Sequence, residues 1–356
     1  LTLSVCYEEY WKLLEFKPMR VALVSTMRTA VPPVKTGSVE LIVGLMAEEL
    51  ARRGHDVTVF APEDSQVSTR VVSVLPKGYH DDPTIWDWRL AEFMQLGLVY
   101  EHAAEFDIIN SHVYCYALPF TRLVRTPTVH TFHICPPPDF VRFCKMHADN
   151  AYVLISEFQR QFFADVPVSG VVHNGIQTAL FPFNPEPGKY CAYLGDFRPD
   201  KGPLEAIRAA RAAGIPIRLA GPGSQYFNDV IKPEIDGRNV EYVGELDHKG
   251  KTELLSGALS MMFPARGLEA CPLVLLESMA CGTPVLALSC GPVPEIVIQG
   301  VGGIHVDNVE DLEPALTRIG DMDRRAVRSL AVERYDVARM VQQYGEIFTR
   351  VVANSA

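Results

Sequence analysis

The stretch GLEACPLVLLESMACGTPV, residues 267–285, decides how this chain of 356 residues is read. Pro272 suits the first position of a helix, where its missing N–H would have no intrahelical partner anyway. Leu273, Leu276 and Ala280 recur at helical spacing, and Gly282 is placed to close the helix. The amides of Leu273 and Val274 then face outward at the positive end of the helix dipole, a ready site for an anion and most naturally for phosphate. Glu269 precedes this helix and Glu277 lies on it, roughly 7–8 Å further along at about 1.5 Å per residue. One carboxylate can therefore meet one end of an elongated ligand and the second the other, with the anion between them. The alternative is two solvated charges on a surface helix. The proline, the outward amides and the glycine stop weigh against it.

Outward from this segment, short apolar runs alternate with amphipathic helices, the pattern of parallel α/β architecture. RVALVS (20–25), DVTVF (56–60), VVSVL (71–75), DIIN (107–110), TVHTF (128–132) and YVLI (152–155) read as strands, and 38–53 as a helix with Val39, Ile42, Val43, Met46 and Leu50 on one face. FPFNPEPGKY (181–190) carries three prolines and a glycine, which disfavours helix and central strand and reads as a linker. A second series follows in YCAYLG (190–195), PIRLAG (216–221), VEYVG (240–244), LSMMFP (259–264) and PVLALS (284–289), and the end of the chain reads as helical. The expected organisation is an extension over 1–18 with the look of a short packed helix, a first Rossmann-like domain over 19–183, a linker over 184–189, a second Rossmann-like domain over 190–335 and a terminal segment over 336–356. The fold class is α/β, two such domains facing across a cleft, with ligands at the carboxyl ends of the strands.

Composition narrows the function classes. A 48% hydrophobic and 21% charged share describes a soluble globular protein, and no apolar run approaches the roughly 18 residues a membrane span needs. No secretory signal is read. A net charge of −10 argues against a dedicated nucleic-acid binder and against a broad basic face for anionic lipid. The eight cysteines form no Cys-x-x-Cys pair and no cluster with histidine at metal spacing, so reduced thiols, a cytoplasmic location and no bound metal are expected.

Further motifs sit at strand ends. In LGDFRPDKG (194–202), Lys201 lies at a strand-to-helix turn, well placed to neutralise a diphosphate, and Arg198 is a second cation three residues earlier. In PPVKTGSVE (32–40), Gly37 allows close approach of backbone to a ligand, or simply makes a turn, and Ser38 suits the helix N-cap. TPTVHTFHI (126–134) puts His133 at a strand end, where an imidazole can orient a hydroxyl or move a proton; a structural histidine is the alternative. His112, in DIINSH (107–112), is a second strand-end histidine that more often would be structural. Tyr79, Trp86, Trp88 and Phe93 are open to sugar stacking or apolar acceptor binding, with ordinary core packing the favoured reading. GPGS (221–224) lacks the third glycine of a dinucleotide fingerprint, which counts against an NAD enzyme.

Residues 269–285 resemble the Glu-seven-residues-Glu signature of retaining glycosyltransferases with the GT-B fold, the large fourth sequence family of such enzymes, with ESMACGTPV (277–285) following as that pattern expects. The resemblance implies that Glu269 contacts sugar hydroxyls of a nucleotide-sugar donor and Glu277 its ribose. Where many members read Gly-Phe-Gly, this chain reads Ala270, Cys271, Pro272; proline offers no donor, so amide contacts fall to its neighbours, including Leu273 and Val274. The 194–202 loop is similar to the family's Gly-Arg…Lys-Gly loop: Lys201 and Gly202 match, Asp196 occupies the usual Arg position, and Arg198 is a candidate substitute. Gly37 matches the first glycine of a Gly-Gly loop, with Ser38 in place of the second. His133 matches the histidine of the family's Thr-x-His strand end, beside the transferred sugar, and DIINSH (107–112) echoes an Asp-Ile-Ile…His strand end that makes His112 an acceptor-side candidate. Asn174 and Gly175 echo an Asn-Gly-Ile-Asp segment that shapes the hinge.

What the resemblance implies is a retaining, metal-independent glycosyltransferase, of hexosyltransferase type. It would use a UDP-, GDP- or dTDP-sugar and no cofactor, bind the donor on the second domain, and take a small-molecule, glycan or natural-product acceptor on the first. The terminal helix would cross back to the first domain. Two alternatives stand beside it: a sugar-nucleotide epimerase of the same fold, and a non-catalytic sugar-nucleotide-binding or partner subunit, the latter motivated by Asp196 and Ser38.

Overall fold

The computed structural model describes residues 17–355, so the helix expected within 1–18 lies almost wholly outside the described residues. The described residues divide into two compact units: one of residues 17–155, 159–175 and 337–355, the other of residues 156–158 and 176–336. Each is a parallel sheet flanked by helices.

In the first unit the strands are β1 (Arg20–Val24), β2 (Asp56–Phe60), β3 (Arg70–Val72), β4 (Ile108–Ser111), β5 (Thr128–Phe132), β6 (Ala151–Leu154) and β7 (Gly170–Val171), in the order β3-β2-β1-β4-β5-β6-β7. Central strands buried on both faces explain the continuous apolar runs, since β1, β2, β4 and β5 are buried almost throughout. The helix Ser38–Arg52 packs Ile42, Val43, Met46, Ala47 and Leu50 inward. Arg53, just past it, donates to Gln342 Oε1 (2.6 Å) and the Ala338 carbonyl (2.6 Å) of the helix Val337–Ser355, which belongs to this unit.

In the second unit β8 (Cys191–Leu194), β9 (Ile217–Ala220), β10 (Val240–Gly244), β11 (Ser260–Phe263), β12 (Val285–Leu288) and β13 (Gly303–Val306) run in the order β10-β9-β8-β11-β12-β13. Leu219, Met262 and Leu286 pack with Ile207 and Ala210 of the helix Pro203–Ala212 and Leu316 of the helix Leu312–Ile319. The proline-rich stretch is held from the helix Arg324–Tyr335: Arg324, 4% exposed, donates to the carbonyls of Asn184 (2.8 Å) and Ala258 (3.0 Å), and Arg328 to that of Phe181 (2.8 Å).

In both sheets the strand order reverses beside the first strand, between β1 and β4 and between β8 and β11. Loops leaving the carboxyl ends of such neighbours diverge to opposite faces, which opens a crevice at the switch point. Two strands have no counterpart in the apolar runs of the sequence, β7 and β13. Both are sheet edges, short and half-buried, and each contains a glycine. The expected strand 71–75 stops at Val72, because the Ser73 hydroxyl bonds the Leu75 carbonyl (2.7 Å) and amide (3.1 Å) and turns the chain.

Candidate active site

In the second unit, Lys201 and Glu269 come from the loops that follow β8 and β11, the neighbours at the switch point. Two backbone bonds tie these loops together, from the amides of Arg266 (2.8 Å) and Gly267 (3.1 Å) to the Asp200 carbonyl. Gly202 is in the left-handed region at φ 72°, and a Cβ there would lie 2.4 Å from the Pro264 carbonyl oxygen, so only glycine lets the loop lie against the end of β11. The loops bring the Lys201 ammonium onto the Glu269 carboxylate, side chains 20% and 25% exposed. Arg198 is drawn elsewhere: its guanidinium bonds Asp200 Oδ1 at 2.9 Å, and its side chain is 55% exposed.

The helix Leu273–Ala280 follows. Pro272, expected as its first residue, instead caps it in an extended conformation (φ −69°, ψ 111°), and helical geometry starts one residue later. Its first turn closes with the Leu275 amide on the Pro272 carbonyl (3.2 Å), which leaves the amides of Leu273 and Val274 ahead of that bond. Ala270 and Cys271 are buried beneath this start; Leu273 and Val274 are half-buried. Glu277, 6% exposed at its side chain, pairs with the ammonium of Lys251 on the helix His248–Ser256. Sequence reasoning missed Lys251. The signal was DHKGKTELL (247–255), an Asp247-capped helix with a cation, but nothing in that segment tells which helix it faces.

In the first unit, Gly37 (φ 154°) is the residue before the helix Ser38–Arg52, and a Cβ on it would sit 2.7 Å from Glu40 Oε2. Ser38, expected as N-cap, is instead the first helical residue, and the cap is Gly37 with no side-chain bond. Buried Glu40 accepts from the Thr26 hydroxyl after β1. Buried Glu92 accepts from the Met27 amide at 3.1 Å; burial and the Glu40 charge hold its proton, with a pKa of about 8. Neither carboxylate was expected from the sequence, because a glutamate in an amphipathic helix usually reads as solvent-facing.

His112 follows β4 and His133 follows β5. The structure brings them together, His112 Nδ1 to His133 Nε2 at 2.8 Å with stacked rings, and burial pushes the His133 pKa down to about 4. The favoured core reading of the aromatics does not hold for Trp86, which is 95% exposed, nor for Phe93 at 42% and Trp88 at 36%. The helix Trp88–Glu101 buries Ala91, Glu92, Gln95, Leu96, Val99 and Tyr100; Trp86 precedes this helix, Trp88 opens it and Phe93 lies at the border of that face. Trp88 makes ring contacts with the half-buried Tyr79 (5.8 Å) and Tyr116 (6.2 Å).

Comparisons with known proteins bear on the family and the fold. Residues 39–180 match the family model described as Glycosyltransferase Family 4, and residues 180–328 the model described as Glycosyl transferases group 1. The chain is similar to the glycogen synthase of Mycobacterium tuberculosis, 25% identical over 344 residues that cover 80% of this chain and 82% of that protein. It is also similar to the D-inositol 3-phosphate glycosyltransferase of Mycolicibacterium smegmatis, 26% identical over 388 residues that cover 89% and 87%. Among solved structures, Anabaena HepE in complex with UDP-glucose superposes with a TM-score of 0.70 at 18% identity, covering 93% of this chain and 100% of that one. Two parallel α/β units of this topology, a matched family model over each and relatives aligned along most of their length make the chain a member of the family 4, group 1 glycosyltransferases, with the GT-B fold.

Proposed function

We propose that this glycosyltransferase is a retaining, metal-independent hexosyltransferase that moves a sugar from a nucleoside-diphosphate donor to an acceptor hydroxyl. The observation that carries the reading is the Lys201–Glu269 pair beside the start of the helix Leu273–Ala280. Breaking the sugar–phosphate bond builds negative charge on the departing diphosphate, and donors already aimed at that charge lower the barrier. Lys201 and the amides of Leu273 and Val274 are such donors, with Arg198 a secondary one. Glu269 takes sugar hydroxyls while holding the ammonium in place; Glu277, neutralised by Lys251, takes the ribose. Ionised carboxylates accept from paired hydroxyls, which suits both roles.

Gly37 and Ser38 offer backbone to the ligand, His133 meets the sugar, and His112, Trp86 and Trp88 serve the acceptor side. The acceptor oxygen bonds the anomeric carbon from the face that the phosphate leaves, and its proton passes to the departing phosphate oxygen; no protein nucleophile is assigned. The complex of HepE with UDP-glucose supports a nucleotide-sugar donor, and UDP first among the bases. Labelled UDP-, GDP- and dTDP-sugars incubated with and without acceptors, in excess chelator, test the proposal. Transfer with the anomeric configuration kept supports it. An inverted product overturns the retaining step, loss of transfer in chelator overturns metal independence, and epimerised donor or binding alone overturns the assignment as a whole.

A further inference from the structure

The histidine pair in the first unit is wired so that its proton positions follow from its partners. Asn110, fully buried on β4, directs its side-chain nitrogen at the Val129 carbonyl (3.1 Å) and at Thr131 Oγ1 (3.1 Å). A backbone carbonyl only accepts, so that atom is the amide NH2, and the oxygen of Asn110 is the atom facing His112 Nε2 at 2.9 Å. An amide oxygen only accepts in turn, so His112 Nε2 carries a proton. His112 is 2% exposed, and burial together with the neighbouring imidazole keeps it neutral. A neutral ring protonated at Nε2 has a bare Nδ1. That lone pair faces His133 Nε2 at 2.8 Å, so His133 donates there and is itself protonated at Nε2.

We infer that Asn110 is a positioning residue which, through His112, sets the tautomer of His133 so that its Nδ1 is a hydrogen-bond acceptor for a substrate hydroxyl. This rests on the reading in which His133 meets substrate. A bare imidazole nitrogen favours a group that donates; a carboxylate or an ether oxygen at the same place would set two lone pairs against each other. The relay thus selects a sugar that presents a hydroxyl at His133 over one that presents a carboxylate there. Thr131 Oγ1 lies 3.2 Å from Tyr344 Oη on the helix Val337–Ser355, so the relay is anchored outside the two strands as well.

Nitrogen–proton correlation spectra of the ring nitrogens in the 15N-labelled full chain at neutral pH read the tautomers directly, with His112→Ala and His133→Ala for assignment among the ten histidines. Both rings are expected with the proton on Nε2; a proton on His133 Nδ1, or a cation on either ring, overturns the inference. In Asn110→Ala the His133 spectrum should become a mixture of tautomers. The kcat/KM for transfer should fall roughly tenfold or more, the lower end of the loss when a metal-binding histidine loses the partner that orients it, while affinity for free UDP is kept. Unchanged tautomers in a folded Asn110→Ala overturn the role of Asn110, and the wild-type spectra decide the tautomer even where that variant does not fold. The expected tautomers in a chain without transferase activity would uphold the relay and remove the functional reading alone.

Discussion

At the scale of single residues, the two lysine–glutamate pairs carry the predictions. Lys201→Ala should lower kcat by about 10²–10³-fold, the cost of removing one preorganised donor. Arg198→Ala should cost less, because its guanidinium is exposed and already engaged by Asp200. Steady-state rates of the two variants check the order, and a larger loss for Arg198→Ala would mean that the loop has moved its phosphate-binding role onto that residue. The carboxylates divide differently. Glu277→Gln should weaken free nucleoside diphosphate as well as intact donor. Glu269→Gln leaves Lys201 able to meet phosphate, so it should spare the free nucleotide and impair the sugar-bearing donor or turnover. Calorimetry with both ligands on both variants measures this, and equal weakening of the sugarless nucleotide would refute the division.

At the scale of elements, the loop between β8 and the helix Pro203–Ala212 depends on a glycine rather than on a charge. Gly202→Ala puts a side chain at φ 72° and within 2.4 Å of a carbonyl oxygen. The loop must shift, so stability should fall by more than about 1 kcal/mol, and nucleotide affinity should fall with it because Lys201 rides on the same turn. Chemical denaturation and calorimetry on the variant test both halves. A stable variant that binds nucleotide normally would show that the loop is not rigid enough to position Lys201. Element-level errors in reading the sequence have a common source. Strand ends and sheet edges carry half-buried residues whose hydropathy resembles that of loops, as at Gly170–Val171 and Gly303–Val306, and a serine hydroxyl is enough to end a strand at Val72.

At the scale of the whole molecule, Glu92 links folding to pH. Its proton is held up to about pH 8 in the folded chain and lost near 4.5 on unfolding. Between those values the folded state binds more protons than the unfolded one, so this group makes stability fall as pH rises across the window. Glu92→Gln should flatten that slope, with the variant gaining most over wild type near and above pH 8. Melting temperatures of both proteins across the window test it, and parallel curves would show Glu92 ionised when folded. Nucleotide identity is also a whole-molecule measurement: UDP, GDP and dTDP each at one hundred times its dissociation constant should stabilise by about 2.7 kcal/mol, so the base that raises the melting temperature at the lowest concentration is the one the protein reads.

What the sequence by itself determined is the parallel α/β architecture and one chemical signature. Central parallel strands are buried on both faces and must be continuously apolar, and the run from Glu269 to Val285 compresses a proline, a helix start and two carboxylates into a single local element. What only tertiary structure decided is pairing. Lys251 meets Glu277 across two helices 26 positions apart in sequence, Lys201 meets Glu269 across two loops, Glu92 reaches the Met27 amide 65 positions away, and Trp86 stands in solvent. Local periodicity tells which face of an element is buried. It does not tell which charged side chain on another element arrives to neutralise a carboxylate, because that depends on the order of strands in the sheet, and the reversals beside β1 and β8 are properties of the sheet as a whole.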